Sequence, residues 1–547
     1  MDKEHSLISG QLDKVELQYT PIETISDTVS ALRDSFASGT MRDISFRKQQ
    51  LRALLKGMRE DKKNLLDALY HDLHKSHTEG LYAEYDAVEY EIGQYLDNMD
   101  KWYLDNMDKW VKPSRNALAS EQPAFLLSKS EVRKDPLGVV VILGAWNYPL
   151  RLIMLPAIGA IAAGNTVVLK PSELAPHTAQ AVQNLVTRSM DSSVIRVVQG
   201  GVKETTELLK EKFDHYFYTG SGSVGKIVAR AAAEHLSGIT LELGGKSPAI
   251  VHADVSDLVP TAFRIMWSKL ANSGQTCVAT DYILIHRSVK DKLVPLLVEA
   301  VAGMYGKSPK ESPDYGRIIN ARHWNRLMDA LSATEGTQIA VTDDLPDESD
   351  LYFPPTIVDG VRPGDSLMKD ELFGPILPIL TYDTLDEAIS LVNSRDQPLA
   401  LYVFAKSDSA EAVISRTRSG SATVNDTMFN LASQTNPFGG VGPSGVGRYT
   451  GRHTLDTFSH HRHVMKRPLW FPSPGVDSIR GPPFTGSENS WKTDLSHQMV
   501  YPTLWSLRES VLGKLVTLIP FWRMLVTIPG FLVAIIKSKP VIRRRKD

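Results

Sequence analysis

The only cysteine of the chain, Cys277, is the first residue whose type and surroundings suggest chemistry. A single thiol forms no intramolecular disulfide and is too few for a zinc site built on thiolates. A lone cysteine is most often a small buried apolar side chain. Gly274, Gln275 and Thr276 precede Cys277, and such small or polar neighbours favour an exposed turn over a core strand. A thiolate in that turn can attack an electrophile, provided its pKa is lowered.

Three further stretches carry polar residues beside strand-like or glycine-rich sequence. In residues 139–150, a β-branched run predicts a buried parallel strand that enters a loop, and the amide of Asn147 in that loop can donate to a developing oxyanion. Glu242 stands between leucines and before two glycines in residues 241–248, so burial is expected to raise the pKa of its carboxyl. The third stretch is ELFGP, residues 371–375. Each string alone is more often structural than functional.

Residues 213–235 contain a literal GxGxxG pattern, in which Gly220, Gly222 and Gly225 follow a predicted strand and open a predicted helix. This is the arrangement of a dinucleotide fingerprint, and the helix N-terminus is expected to face the negative pyrophosphate. In the general form of the fingerprint, an acidic residue about 20 positions on binds a ribose, and here that residue is Glu242. A GxGxxG pattern by itself is a weak signal.

In their order and spacing, these stretches resemble the aldehyde dehydrogenase superfamily, in particular its class 3 and fatty aldehyde dehydrogenase branch. The resemblance covers residues 25–467 and leaves both ends of the chain outside. Three more motifs match: LKPSE at 169–173, YTGSGSVG at 218–225 and NPFGGVGPSGVGRYTGRHTLDTFSH at 436–460. Ordered agreement of this many motifs is not expected by chance.

The resemblance implies an α/β fold with a Rossmann-type cofactor domain, an α/β catalytic domain and a small oligomerisation segment. It implies that Cys277 attacks the aldehyde carbon and that Asn147 and the Cys277 backbone N–H stabilise the oxyanion. Glu242 then activates the water that hydrolyses the thioester. The resemblance assigns binding of the ribose to Lys170 and Glu173 rather than to Glu242, because the stretch LELGGKSP around Glu242 matches the family as a unit.

The resemblance also implies which residues contact the cofactor. Glu371 is expected to hold the nicotinamide ribose, with Phe373 beside it. The glutamate of LKPSE favours a free 2′-hydroxyl and therefore NAD, although class 3 relatives tolerate NADP as well. No metal is expected. The fingerprint residues expected to contact the cofactor are Gly220, Ser221, Gly222, Ser223, Val224 and Gly225.

Length and composition bound the architecture. A chain of 547 residues exceeds the size at which one core stops growing, so two or three domains are expected. A net charge of −2 argues against bulk electrostatic binding, so no nucleic-acid partner is expected. The first residues lack an apolar h-region and Arg-rich character, so neither a secretory signal nor a transit peptide is expected. A reactive thiol fits a reducing compartment.

The predicted elements divide the chain into segments. Helical spacing of apolar residues predicts helices over 25–112, and alternating strand and helix patterns predict a doubly wound parallel sheet over 137–245. In the resembled family the segment at 117–136 serves subunit pairing, so a homodimer is expected. The predicted divisions are a leader at 1–24, an NAD-binding domain at 25–116 and 137–245, oligomerisation or bridging segments at 117–136 and 436–467, a catalytic domain at 246–435, a linker at 468–499 and a tail at 500–547.

Two local patterns have plain explanations. The octet YLDNMDKW occurs in tandem at 95–102 and 103–110, and eight residues advance an α-helix about 80° beyond two full turns. The two copies therefore cannot share one apolar stripe, which favours a duplication absorbed at a surface helix end over a functional extension. Four histidines are interpreted as surface residues rather than metal ligands, because partner cysteines and nearby carboxylates are missing. They are His453, His460, His461 and His463.

The tail predicts membrane association. Its longest uncharged run, 524–536, is shorter than the ~20 residues of a bilayer span, and a longer window from Leu515 includes Arg523 near its centre. The basic residues at 537–547 disfavour translocation, so entry into one leaflet or the interface of a membrane, on its cytosolic face, is expected. A helix packed on the body is the alternative. The tail and the branch resemblance together predict a long apolar aldehyde as substrate.

Other function classes are weighed against this interpretation. An apocarotenoid aldehyde is also long and apolar and would be oxidised by the same mechanism. A cysteine hydrolase would use Cys277 but needs a histidine partner, and no histidine motif of that kind is visible. A non-catalytic membrane scaffold would have lost chemical residues, whereas Cys277, Glu242 and Asn147 are all present.

Overall fold

The structure is a computed structural model. It describes residues 15–103, 129–433 and 435–466. Several sequence predictions lie outside these residues: nearly all of the second octet copy, the linker at 468–499 and the tail at 500–547. Within the described ranges, no helix combines the length and the apolar character needed to cross a bilayer.

The chain divides into two compact units. The larger unit draws on Met1–Asn98 and Pro136–Ser459, and the smaller unit draws on Met99–Asp135 and His460–Asp547. The described residues of the smaller unit include most of a two-stranded sheet, formed by β1 (Lys129–Pro136) and β15 (Ser459–Lys466).

The N-terminal region is helical, as the sequence predicts. Its helices are α1 (Ile25–Ser38), α2 (Ile44–Glu60), α3 (Lys62–Leu73), α4 (His77–Gly80) and α5 (Asp86–Tyr103), with one π-helical turn at Leu81–Tyr85. Local chemistry sets the ends of these helices: Gly39 ends α1 with φ 82°, and the Asp43 carboxylate accepts the Ser45 N–H at 2.8 Å to begin α2. The first octet copy lies in α5, where Tyr95 is fully buried.

A six-stranded sheet follows, with the alternating strands and helices predicted from sequence. Its strands are β2 (Val139–Leu143), β3 (Thr166–Lys170), β4 (Ile195–Val197), β5 (His215–Thr219), β6 (Gly238–Glu242) and β14 (Gly445–Val446). The order is β14-β6-β5-β2-β3-β4, and all neighbours are parallel except β14. The intervening helices are α6 (Arg151–Ala163), α7 (Pro176–Ser189), α8 (Val202–Leu208) and α9 (Gly222–Glu234).

A seven-stranded sheet forms the second core. Its strands are β7 (Pro248–Val251), β8 (Tyr282–His286), β9 (Thr337–Ile339), β10 (Thr356–Asp359), β11 (Ile376–Tyr382), β12 (Ala400–Phe404) and β13 (Ser421–Val424). The order is β13-β12-β7-β8-β11-β10-β9, with only β9 antiparallel. The accompanying helices are α10 (Leu258–Leu270), α11 (Arg287–Tyr305), α12 (Ala321–Ser332), α13 (Leu385–Asn393) and α14 (Ser407–Ile414). A last short helix, α15 (Arg452–Thr457), packs instead on α6, where Gly159 lies against Thr454.

Strand burial explains why the sequence folds this way. Every residue of β2 and β3 is buried, which is why both read as continuous β-branched and aliphatic runs. Parallel strands need long crossovers, and the helices between them supply these. All carboxyl ends of β2, β3, β5 and β6 therefore meet at one edge of the first sheet, where ligands bind in open α/β sheets.

Candidate active site

The loop that carries Cys277 is held by hydrogen bonds on both sides. It follows α10 and passes through Asn272 and Ser273, whose φ values of 52° and 51° lie in the left-handed region. The side-chain amide of Gln275 donates to the carbonyl oxygens of Asn272 at 3.1 Å and Arg317 at 2.9 Å. Cys277 therefore lies in a turn, as the sequence predicts, but its side chain is partly buried rather than exposed.

Asn147 lies in the loop after β2 and is joined to the cysteine loop. Its side chain is 3% exposed and donates from Nδ2 to Gln275 O at 3.0 Å. Its backbone carbonyl accepts from Asn272 Nδ2 at 2.8 Å. An amide carries two N–H donors, so the bond to Gln275 engages one of them. The two loops hold the Asn147 amide at a fixed position close to Cys277.

Glu242 ends β6 and is 3% exposed. Neither oxygen of its carboxyl group has a hydrogen-bond partner within the described part of the chain. Burial raises the pKa of this carboxyl well above its ordinary value. A carboxyl group that is buried, unpaired and of raised pKa can act as a general base near neutral pH.

The charges around Cys277 act on its protonation state. Burial, followed by the carboxyls of Glu371 and Glu242, raises the pKa of the thiol to about 12, while the Arg151 guanidinium acts in the opposite direction. The lowered pKa that a free thiolate would need is therefore absent. Because a thiol near Glu371 and Glu242 keeps its proton at pH 7, attack on a substrate requires that a neighbouring base accept it.

Glu371 belongs to the ELFGP segment and acts electrostatically on Cys277. It lies so close to Gly244 that a Cβ at this glycine would fall 2.1 Å from Glu371 Oε2, which explains why a glycine follows shortly after Glu242. Burial and the Asp281 carboxylate raise the pKa of Glu371 to about 8. Phe373 has a φ of 48°, and its ring centroid lies 5.3 Å from that of Trp146, the residue before Asn147.

The three glycines of the fingerprint have three different surroundings. Gly220 has a φ of 157°, and a Cβ there would fall 2.2 Å from Tyr218 Oη. A Cβ at Gly225 would lie 2.9 Å from Leu243 Cδ2, so this glycine lets α9 pack closely on the sheet. At Gly222 a Cβ would meet nothing within 4 Å. Turn, helix packing and open backbone approach are the roles that glycines play around a dinucleotide pyrophosphate.

Lys170, the last residue of β3, forms an ion pair with Glu173, and its Nζ lies 2.6 Å from Glu173 Oε2. Lys170 is 5% exposed, while Glu173 is partly buried. β3 and β5 end at the same sheet edge, so this pair and the fingerprint share one crevice. The crevice therefore offers an open glycine at a helix N-terminus for the pyrophosphate, and a cation and a carboxylate at the end of β3 for the ribose. These groups are the ones that binding of NAD(P) requires.

A buried ion pair that sequence reasoning missed supports the Asn147 loop. Lys75 and Glu84 are fully buried, and Lys75 Nζ lies 2.5 Å from Glu84 Oε1. Lys75 also donates to Asn147 O at 2.7 Å, and Glu84 Oε2 accepts the N–H groups of Leu150 at 2.9 Å and Arg151 at 3.3 Å. The pair thereby fixes the backbone on both sides of the loop turn and at the start of α6.

A second missed carboxylate, Glu79, supports the cysteine loop. It is 8% exposed, and its Oε1 accepts the N–H of Asn272 at 2.8 Å. Burial raises its pKa. Lys75 precedes α4, while Glu84 lies in the π-helical turn, so α-helical periodicity gives no sign that either side chain points inward. The strongest available signal was the charge of Glu84 between apolar and aromatic neighbours.

The guanidinium of Arg151 joins two segments that carry exposed aromatic side chains, because it donates to Ala83 O and Leu431 O at 3.2 Å each. Next to Ala83, Tyr82 is 51% exposed, and its hydroxyl contacts the side chain of Trp267. Trp267, Leu431 and Cys277 pack against the same buried apolar cluster. Further apolar surface lies close by in sequence, because Phe263 is 51% exposed and Phe429 is 67% exposed.

The structure combines parallel strands that end at a glycine fingerprint with a partly buried cysteine. This combination defines the class of protein, which is a dinucleotide-dependent oxidoreductase that uses a cysteine. No group of His, Cys, Asp and Glu with the geometry of a metal site occurs in the described residues. Residues 15–464 match the aldehyde dehydrogenase family, and the chain belongs to that family. It is an NAD(P)-dependent aldehyde dehydrogenase.

Individual relatives are similar in sequence to this chain over most of its length. Aldehyde dehydrogenase family 3 member A2 of Macaca fascicularis is 44% identical over 464 residues, which cover 85% of this chain and 92% of the relative. The dimeric NADP-preferring aldehyde dehydrogenase of Mus musculus is 43% identical and covers 82% and 96%. The 4,4′-diaponeurosporen-aldehyde dehydrogenase of Staphylococcus aureus is 42% identical and covers 82% and 95%.

The fold is likewise similar to solved structures. A substrate-bound structure of Staphylococcus aureus AldH superposes with a TM-score of 0.78 and 37% sequence identity. The superposition covers 87% of this chain and 99% of that one. The α/β fold predicted from the sequence is confirmed.

Proposed function

We propose that the protein oxidises a long apolar aldehyde to its carboxylic acid with Cys277 as nucleophile. Cys277 Sγ attacks the aldehyde carbon and gives a thiohemiacetal, while the thiol proton passes to the Glu242 carboxylate. The Asn147 side chain and the Cys277 backbone N–H stabilise the oxyanion. After oxidation to the thioester, Glu242 releases the thiol proton to solvent. It then accepts a proton from the attacking water and returns it to the Cys277 sulfur as the carboxylic acid leaves.

NAD(P), when bound, accepts the hydride from the thiohemiacetal. For its binding, Lys170 and Glu173 hold the adenosine ribose, and Glu371 and Phe373 hold the nicotinamide end. The backbone from Gly220 to Gly225, including Ser221, Gly222, Ser223 and Val224, receives the pyrophosphate. The Glu173 carboxylate accepts a hydrogen bond from a free 2′-hydroxyl and repels a 2′-phosphate, which favours NAD, with NADP as a second cofactor.

The burial of Glu242 carries this proposal. Its carboxyl oxygens have no partner in the described structure and act electrostatically on the Cys277 thiol, which itself needs a base. In the general fingerprint, the same residue would instead bind a ribose. The paired Lys170 and Glu173 at the end of β3 offer a ribose site that leaves Glu242 free for chemistry.

The direct test replaces Cys277 by Ser. We expect NAD-dependent aldehyde oxidation to be lost while NAD binding, measured by calorimetry, stays unchanged, because a hydroxyl of high pKa is a poor nucleophile and the chain holds no second cysteine. Residual activity above about 1% of the wild type would refute the covalent scheme. Hydrolysis of esters by the wild-type enzyme without any NAD-dependent oxidation of aldehydes would instead indicate a cysteine hydrolase.

Trp267 and Cys277 pack against the same apolar cluster, and Trp267 also contacts the half-exposed Tyr82. This apolar surface supports an apolar substrate, because it contributes binding energy only to an apolar chain. A fatty aldehyde is the primary candidate. A polyene aldehyde is the second, favoured by the relative that is named for 4,4′-diaponeurosporen-aldehyde. Comparing kcat/KM for hexadecanal with that for a polyene apocarotenal decides between them: a clear preference for the polyene would refute the fatty aldehyde.

We further propose a homodimer that is attached to the cytosolic face of a membrane through residues 500–547. The name of the murine relative includes the word dimeric. For the membrane, the apolar run at 524–536 and the basic end at 537–547 support insertion into one leaflet. Deleting 500–547 should release the enzyme from membranes while turnover of a short aldehyde persists. Protection of a C-terminal tag from protease added to the cytosolic side would instead show a true span.

A further inference from the structure

The described residues of the N-terminal leader are attached to the first sheet. Thr20 donates its backbone N–H to Gln199 O at 2.9 Å, and its hydroxyl accepts the backbone N–H of Gln199 at 2.9 Å. Gln199 is 1% exposed and donates from Nε2 to Ala179 O at 2.8 Å. This pairing fixes the backbone next to Tyr19, so the position of the Tyr19 ring is set by the fold rather than by a free chain end.

Tyr19 is held at this point but left half-exposed, at 48%. A Cβ at Gly201 would lie 3.6 Å from Tyr19 Oη and 3.7 Å from Tyr19 Cε2, so one edge of the ring packs on a glycine. An exposed aromatic ring beside a fixed backbone and a glycine presents a flat apolar surface with little conformational freedom to lose. Such a surface suits the stacking of a planar ligand.

The place of Tyr19 in the fold points to the ligand. Gln199 and Gly201 follow β4, and Glu173 follows β3, so Tyr19 lies at the carboxyl edge of two adjacent parallel strands. Glu173 and Glu204 both raise the pKa of the Tyr19 hydroxyl, after a larger effect of burial, which puts the ring within reach of the ribose-binding carboxylate.

Two helices that begin at the same sheet edge, α8 and α9, carry exposed apolar side chains. Val202, the first residue of α8, is 81% exposed. Val224 and Ile227 lie three residues apart on one face of α9 and are 38% and 52% exposed. These side chains flank the helix starts that follow β4 and β5, and an adenine ring would cover such apolar surface.

We propose that Tyr19 forms part of the adenosine-binding end of the NAD(P) site and packs its ring on the adenosine. The inference rests on the proposed ribose site at Lys170 and Glu173. It assigns a binding role to a residue outside the glycine fingerprint and outside LKPSE. The nicotinamide end of the cofactor and the chemistry at Cys277 do not depend on it.

The test measures binding of 5′-AMP and NAD to the full chain by isothermal calorimetry. Tyr19→Ala should raise both dissociation constants about 5- to 30-fold, within the range that loss of base–aromatic stacking produces. Tyr19→Phe keeps the ring and should stay within twofold of the wild type. Tyr90→Ala is the matched control, because Tyr90 is 50% exposed and lies on α5, away from the strand ends.

A third variant, Glu173→Gln, separates the two proposals. If Glu173→Gln weakens binding but Tyr19→Ala does not, the Tyr19 assignment is wrong and the ribose site stands. If neither variant weakens 5′-AMP, the ribose site itself is wrong, and the Tyr19 assignment falls with it. Equal losses in Tyr19→Ala and Tyr90→Ala would also overturn the assignment, because they would show a general effect of removing a surface ring.

Discussion

Replacing Lys75 by Met tests whether a buried ion pair holds the Asn147 loop. The substitution keeps the length of the aliphatic stem and removes only the ammonium group. It leaves the Glu84 carboxylate at full burial without its cation, although the backbone N–H groups of Leu150 and Arg151 still donate to it. The Asn147 carbonyl keeps one donor, Asn272 Nδ2. The dominant cost is therefore the uncompensated charge of Glu84.

That cost can be bounded from the structure. Removing one partner of a fully buried pair typically destabilises a protein by about 3–5 kcal/mol. The double variant Lys75→Met/Glu84→Gln removes both charges and should recover at least about half of this loss. Lys310→Met is the matched control, because Lys310 and Asp347 are 2.8 Å apart but about one-third exposed, and solvent screens such pairs so that they contribute little to stability.

The assay pairs urea unfolding with kinetics. Lys75→Met should lower the free energy of unfolding by several times more than Lys310→Met does. The double variant should be more stable than Lys75→Met, yet its kcat should fall about 10- to 100-fold, because the carbonyl of Asn147 loses an anchor and small displacements of an oxyanion donor are costly. NAD affinity should stay within twofold, since neither Lys75 nor Glu84 belongs to the cofactor crevice.

Two results would refute this reasoning. Equal destabilisation by Lys75→Met and Lys310→Met would mean that burial of the first pair has no energetic consequence. A double variant with wild-type kcat would mean that the pair stabilises the fold without positioning Asn147.

Three further predictions concern the carboxyls near the thiol. Glu242→Gln should slow the single-turnover burst of NADH, because the thiol loses the base that accepts its proton, and should slow steady-state turnover still more, because thioester hydrolysis needs the same base; loss of NAD affinity with normal deacylation would instead support the ribose-binding alternative. Glu371→Gln should speed alkylation of Cys277 by iodoacetamide at pH 9.5, where Glu371 is ionised, because loss of its negative charge lowers the pKa of the thiol and increases the thiolate fraction; an unchanged rate would contradict this. Burial raises the folded-state pKa of Glu242, so the protonated carboxyl favours the folded state and stability is lost as pH rises through that pKa. The Tm of cofactor-free Glu242→Gln relative to the wild type should therefore increase from pH 6 to pH 9, and a constant difference would refute it.

Sequence reasoning succeeded where the signal is local. The strand of residues 139–143, the turn around Cys277 and the helix after Gly220 follow from runs of β-branched residues, small polar residues and glycines. These patterns act over a few positions, and the structure bears out the elements that they predict. The family resemblance added the order of the motifs.

Sequence reasoning failed where a property depends on residues brought together by the fold. The raised pKa of Cys277 comes from burial and from Glu371, which lies far along the chain, so the local pattern around the thiol gave no sign of it. Lys75 and Glu84 look like ordinary surface charges in a helical region, and only the π-helical turn and the packing of the loops turn them inward. The leader gave no local sign that Thr20 pairs with Gln199.

The close approach of Glu371 to Gly244 constrains how this enzyme can evolve. The space that a Cβ at position 244 would need is already filled by the Glu371 carboxyl group. A mutation at either site therefore changes the effect of mutations at the other, because alanine at 244 forces the Glu371 side chain to move. In a library that varies both positions at once, the residues found at 244 and 371 in functional clones should therefore covary.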